Sequence, residues 1–152
     1  MNYINRHIKK NLYLKKPIDN AYPIWYIENM EYEVELYEKV DCKVPVLDFI
    51  LDLNPKQQAK IYREIDLLKK FGNELHYPHV DIIRGEKYKG LWELRTEFAS
   101  DIFRIFYFLP INNIAILLHG IVKKKQKTPQ KELEIALERK NDYLRRHKDE
   151  LG

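Results

Sequence analysis

Three strand-like runs, 91–97, 102–109 and 114–122, constrain this chain more than any other feature. They are rich in Ile, Leu, Phe and Tyr, and the four-residue links Phe98-Ala99-Ser100-Asp101 and Pro110-Ile111-Asn112-Asn113 join them. Such compositions favour strands. Links this short connect antiparallel neighbours, because a parallel crossover needs about a dozen residues or more. The sequence therefore predicts an antiparallel meander. Pairing Glu97 with Ile102 sets Arg95 opposite Arg104, and pairing Leu109 with Ile114 sets Arg104 opposite His119. Directly paired residues share a sheet face, so Arg95, Arg104 and His119 are expected in one row. Lys123 follows on the same side. A two-residue shift of register moves the row but keeps the face, whereas a one-residue slip destroys it.

The flanking segments predict the rest of the fold. Segment 31–37 alternates, with Tyr32, Val34 and Leu36 on one side and Glu31, Glu33 and Glu35 on the other, as in a half-buried strand with a wet face. Pro45 opens a short buried helix through residue 51. Asn54-Pro55-Lys56-Gln57 supplies an N-cap, a first-turn proline and a capping box for a second helix. Ile61, Ile65 and Leu68 line that helix, and Gly72 is its expected stop. A further strand is expected over 80–84, with a turn at Gly85-Glu86-Lys87. A final helix is expected over 129–148, with Leu133, Ala136, Leu137 and Leu144 on its apolar side. The order β-α-α-β-β-β-β-α predicts an α+β fold: a small antiparallel sheet with a helical hairpin on one face and a C-terminal helix.

Residues 1–29 mix Tyr22, Trp25 and Tyr26 with prolines and basic residues, without strand or helix period. They read as an N-terminal extension: a basic arm that touches RNA, a segment packed on the domain, or upstream sequence. The domain proper is then 30–152, beginning at Met30. Of 152 residues, 45% are hydrophobic and 33% charged, enough to bury one core and too balanced for a disordered tail. The single cysteine, Cys42, excludes a disulfide framework. No apolar run approaches membrane-spanning length and no apolar stretch follows the early lysines, so a cytoplasmic location is expected.

Charge is unevenly placed. The net charge of +4 divides into +3 over 1–29, −3 over 30–118 and +4 over 119–152. Lys123, Lys124, Lys125 and Lys127 form the densest cluster, which suits the phosphates of a polyanion such as RNA, although on charge alone a solvated loop is the simpler reading. Two arginines facing each other on a sheet require an answering anion. Glu93 and Glu97 share their face and could supply it as an ordinary salt-bridge cluster. With His119 and Lys123 added, the same row could hold a phosphodiester and stabilise the extra charge of its transition state. His119 is the side chain best suited to proton transfer near neutral pH. Lying between Leu117 and Ile121, it could also be a hydrogen-bonded core residue. His76 and His79, with Asp81 nearby, make only a weak metal pattern, and no glycine-rich phosphate loop is present. No cofactor or metal is implied.

Gly90-Leu91-Trp92-Glu93-Leu94-Arg95, Phe103-Arg104-Ile105-Phe106-Tyr107 and Leu118-His119-Gly120-Ile121-Val122-Lys123-Lys124-Lys125-Gln126-Lys127-Thr128-Pro129 together resemble the phage-derived HigB-like branch of the RelE toxin superfamily. Ala136 and Arg139 fit the tail of that pattern. The resemblance implies a RelE-like α+β fold and the toxin of a type II toxin–antitoxin system, a ribosome-dependent mRNA endoribonuclease. The implied chemistry is metal-free attack of a ribose 2′-OH on the adjacent phosphate. Arg95 and Arg104 then become phosphate clamps and His119 the candidate acid or base. Lys123 becomes a transition-state contact, and Lys124, Lys125 and Lys127 become RNA contacts. The implied partners are a cognate antitoxin of helix-turn-helix type and mRNA on the ribosome, with no membrane, and DNA only through the antitoxin complex. Phe103 stands where the pattern has tyrosine and Ile121 where it has phenylalanine; both keep an apolar site. Two other functions fit the same residues: an RNA- or ribosome-binding module without catalysis, and an antitoxin-binding fold without activity.

Overall fold

The computed structural model describes residues 32–111, 113–123 and 127–152. The proposed extension 1–29, Met30, Lys124 and Lys125 lie outside the described residues. Strand β1 spans Glu33–Leu36, and helices α1 and α2 span Pro45–Leu51 and Pro55–Phe71. Strands β2 to β5 follow at Val80–Ile82, Trp92–Phe98, Asp101–Ile111 and Ile114–Lys123. Helix α3 covers Gln130–Arg146 and a short α4 covers Lys148–Leu151.

Local chemistry explains the helix boundaries. Val46 and Ile50, one turn apart, bury the inner side of α1. At the start of α2 the Gln57 backbone N–H donates to Asn54 Oδ1 at 3.0 Å, and the Asn54 N–H donates to Gln57 Oε1 at 3.2 Å. This is the reciprocal capping box expected from the sequence. Gly72 ends α2 at a positive φ of 49°, and a Cβ there would run into the Tyr32 ring, so both conformation and space demand glycine.

The sheet order is β1-β5-β4-β3-β2. Strands β2 to β5 pair antiparallel as expected, but β1 runs parallel to β5 and makes the sheet mixed. No short link joins β1 to its neighbour, so nothing local dictates its direction. The β3–β4 register places Arg95 opposite Arg104, as the sequence predicts. The β4–β5 register corrects the other half of the row: Arg104 faces Ile121, and His119 faces Phe106. The second link closes on Ile111 and Ile114 rather than on Leu109 and Ile114, which carries the pairing near Arg104 two residues further. A bulge between Phe106 and Tyr107 skips Leu118 and restores the faces.

Each sheet face carries its own core. Phe103, Ile105, Tyr107, Ala115 and Leu117 pack under α1 and α2 with Val46, Ile61 and Leu68. Phe106, Phe108, Ile114, Ile116 and Leu118 pack on the other face with Ala136 and Tyr143 of α3. This second core also corrects the expected wet face of β1. Glu35 is only 6% exposed, and Tyr37 beside it is buried, because α3 covers the glutamate side of the strand.

Candidate functional site

Strand alternation delivers a group of ionisable side chains to the α3 side of the sheet. Leu94, Phe103 and Ile105 point into the hairpin core, so Glu93, Arg95 and Arg104 must point the other way. Arg95 and Arg104 sit opposite each other, and the Glu93 carboxylate answers both. Its Oε1 accepts from Arg95 Nη1 at 3.1 Å and from Arg104 Nη1 at 3.1 Å, while Oε2 accepts from Arg104 Nη1 at 3.0 Å. Glu97, exposed at the rim, approaches Arg95 Nη2 at 3.8 Å. This much is the salt-bridge cluster the sequence allowed.

Lys123 changes its character. It ends β5 opposite Ile102, diagonal to Arg104, and its Nζ donates to Thr128 Oγ1 at 3.2 Å. Arg104 Nη1 donates to the same hydroxyl at 3.3 Å. Exposure is 3% for Glu93, 8% for Arg95, 7% for Arg104 and 5% for Lys123. Burial pushes the Lys123 ammonium down to about 8, and the charges of Arg104 and Arg95 push the same way against the pull of Glu93. Among the described residues, three buried cations thus share one buried carboxylate. Their geometry presents a surplus of positive charge and N–H donors beside the first turn of α3.

Thr128 was missed by sequence reasoning as a member of this cluster. The available signal was its place before Pro129, where the chain turns into α3. Lys127, its exposed neighbour, lines a groove of about 560 Å³ with Tyr88, Pro129, Gln130 and Leu133.

His119 belongs to a second constellation. Its Nε2 is in close contact with Glu132 Oε2, and Arg139 Nη1 lies 3.0 Å from its Nδ1. Arg139 Nη1 also donates to the Leu118 carbonyl at 2.9 Å. A guanidinium can only donate and an ionised carboxylate can only accept. The ring therefore accepts at Nδ1 and donates from Nε2, which defines one neutral tautomer. Burial lowers its pKa below the usual histidine range; Arg139 acts in the same direction, and Glu132 opposes them. The ring is biased neutral by burial and Arg139, not by the sheet arginines.

Elsewhere, His79 Nδ1 meets Glu64 Oε2 at 2.8 Å. Among the described residues no group of His, Cys, Asp and Glu side chains is arranged to hold a metal ion, and no helix is long and apolar enough to cross a membrane.

A mixed five-stranded sheet, with a helical hairpin on one face and a C-terminal helix beside a cationic cluster on the other, is the architecture of a RelE-like fold. Residues 48–141, more than half of the chain, match the family described as Phage derived protein Gp49-like (DUF891), and the chain belongs to that family. The family is phage-derived and part of the RelE/HigB-like toxin group. The matched span contains Glu93, Arg95, Arg104, His119 and Lys123. No curated protein matches the chain.

Proposed function

We propose that this chain is the toxin of a type II toxin–antitoxin pair, of the HigB-like kind, and that it cleaves mRNA on the ribosome without a metal ion. The observation that carries this reading is the gathering of three buried cations, Arg95, Arg104 and Lys123, near the buried carboxylate of Glu93 among the described residues. Attack of a ribose 2′-oxygen on the adjacent phosphate builds extra negative charge on the phosphorane. Pre-oriented donors in a site of low dielectric stabilise that charge, and each is typically worth about 10²–10³ in rate. Arg95 and Arg104 clamp the non-bridging oxygens. As the P–O5′ bond breaks, the Lys123 ammonium donates its proton to the leaving 5′-oxygen, and the 2′-OH proton is lost to water. The products are a 2′,3′-cyclic phosphate and a 5′-hydroxyl.

His119 takes a positioning role in this reading, since both its ring nitrogens are engaged by α3. Lys124, Lys125 and Lys127 contribute phosphate contacts that hold the complex on RNA. A cognate antitoxin, of helix-turn-helix type, would restrain the toxin until it is removed. The hold of Glu93 on Arg104 favours one competing reading, RNA or ribosome binding without cleavage. Incubating the full chain with programmed ribosomes and a chelator separates the two. Cyclic-phosphate ends formed within translated codons support cleavage, and intact mRNA on toxin-bearing ribosomes supports binding alone.

A further inference from the structure

We infer that Tyr77 is a nucleobase platform at the rim of the cationic cluster. The ring of Tyr77 is 67% exposed, although it is a large aromatic on a loop. One side of it lies over the Arg95 guanidinium, 5.1 Å from carbon to ring centroid. Arg95 is held from behind by Glu93, so the same buried network that presents the phosphate donors also supports the ring. The loop is anchored as well. The Arg95 backbone N–H donates to the His79 carbonyl at 2.7 Å, and the His79 side chain is tied to Glu64 of α2. An exposed aromatic, fixed in place beside phosphate-binding cations, is the arrangement that proteins use to stack the bases of single-stranded nucleic acid.

The surroundings favour RNA over an apolar protein segment. The hollow beside the loop, about 210 Å³, is lined by Lys60, Arg63, Glu64, His79, Thr96 and Glu97 among others, so charged side chains surround it. Lys60 and Arg63, nearly one turn apart on α2, bring positive charge to its far side, where the next phosphate of a stacked strand would lie. Tyr77 would therefore set the position of the nucleotide next to the cleaved bond and bias which base is accepted there. This inference rests on the mRNA-cleavage reading above for its biological substrate.

The test uses the full chain and two probes, a short single-stranded 2′-O-methyl RNA and its abasic counterpart, followed by fluorescence anisotropy at low salt. A base–aromatic stack is worth about 1–3 kcal/mol, so Tyr77→Ala should weaken binding of the base-bearing probe about 5- to 150-fold. Tyr77→Trp should keep it. Neither substitution should change affinity for the abasic probe. Equal losses on both probes would overturn the platform, because Tyr77 would then merely hold Arg95. Unchanged binding of the base-bearing probe, or none by the wild-type chain, would overturn it too, and would suit a protein-facing tyrosine. Ribosomal cleavage by the same variants keeps the two claims apart. Base-dependent binding through Tyr77 with no cleavage by the wild type removes the cleavage reading alone. Cleavage of unchanged rate and codon preference in Tyr77→Ala removes the platform alone.

Discussion

Two charged constellations share one face of this sheet, and they are built to opposite rules. Around His119 the donors and acceptors match: Arg139 donates to Nδ1 and to a backbone carbonyl, and Nε2–H meets Glu132. Around Arg104, among the described residues, three buried cations gather near one buried carboxylate. A matched set is a fastening, and here it ties α3 to β5. A surplus of like charge in a dry place opposes folding and persists where something else gains from it. On the proposed function, the difference gives His119 a structural role and the arginine–lysine cluster the chemistry, although the sequence set all four residues in one row.

Substitutions can break that contrast. Glu93→Gln should have the largest effect on stability, about 3–5 kcal/mol, because it strips the carboxylate from two facing guanidinium groups. Urea unfolding measures it, and added inorganic phosphate should restore part of the loss. Arg95→Ala should lower the rate of ribosomal mRNA cleavage about 10²- to 10³-fold. His119→Asn should cost about 1 kcal/mol in stability, the usual effect of removing the donor of a half-buried carboxylate, while cleavage stays within about tenfold of wild type. A loss as large as that of Arg95→Ala would erase the distinction.

Two pH profiles sharpen it. If Lys123 donates the final proton, the rate of cleavage should fall as pH rises through about 8, where the ammonium is lost. Lys123→Arg should move that fall upward. His119 affects stability instead. Its folded pKa lies below the ordinary 6.5, so on acidification the unfolded chain takes up a proton before the folded one. Its contribution is therefore complete above about pH 6.5 and is lost as pH falls through the folded pKa. The urea midpoint should drop over that window in the wild type, and less in His119→Asn. The smallest expected effect is that of Lys127→Ala, about a two- to fivefold loss of ribosome affinity with a salt slope shallower by about one.

Much of this is legible in the amino-acid sequence. The link between Glu97 and Ile102 is short enough to define its own register, and Asn54 with Gln57 announces the start of α2. What escaped depends on contacts distant in sequence. No tight turn constrains β1, so its parallel pairing with β5 had no local signature. The bulge at Leu118 was hidden because Leu117 and Leu118 are equally apolar, and either could have faced either core. His119 looked like a neighbour of the arginines until α3 docked and brought in Glu132 and Arg139. Those two are seven residues apart and share a helix face, so the pair was visible but its target was not. Thr128 shows the same limit, since its hydroxyl means little until Arg104 and Lys123 converge on it.

The central claim is that the surplus cations cut RNA. The most direct measurement is inducible expression of the full chain without a partner, with RNA 5′-ends mapped in the minutes after induction, beside Arg104→Ala. The account predicts new 5′-ends at fixed positions within translated codons in the wild type, and none in the variant at equal folded abundance. Equal cleavage by both proteins, or intact mRNA with the wild type bound to ribosomes, would contradict it.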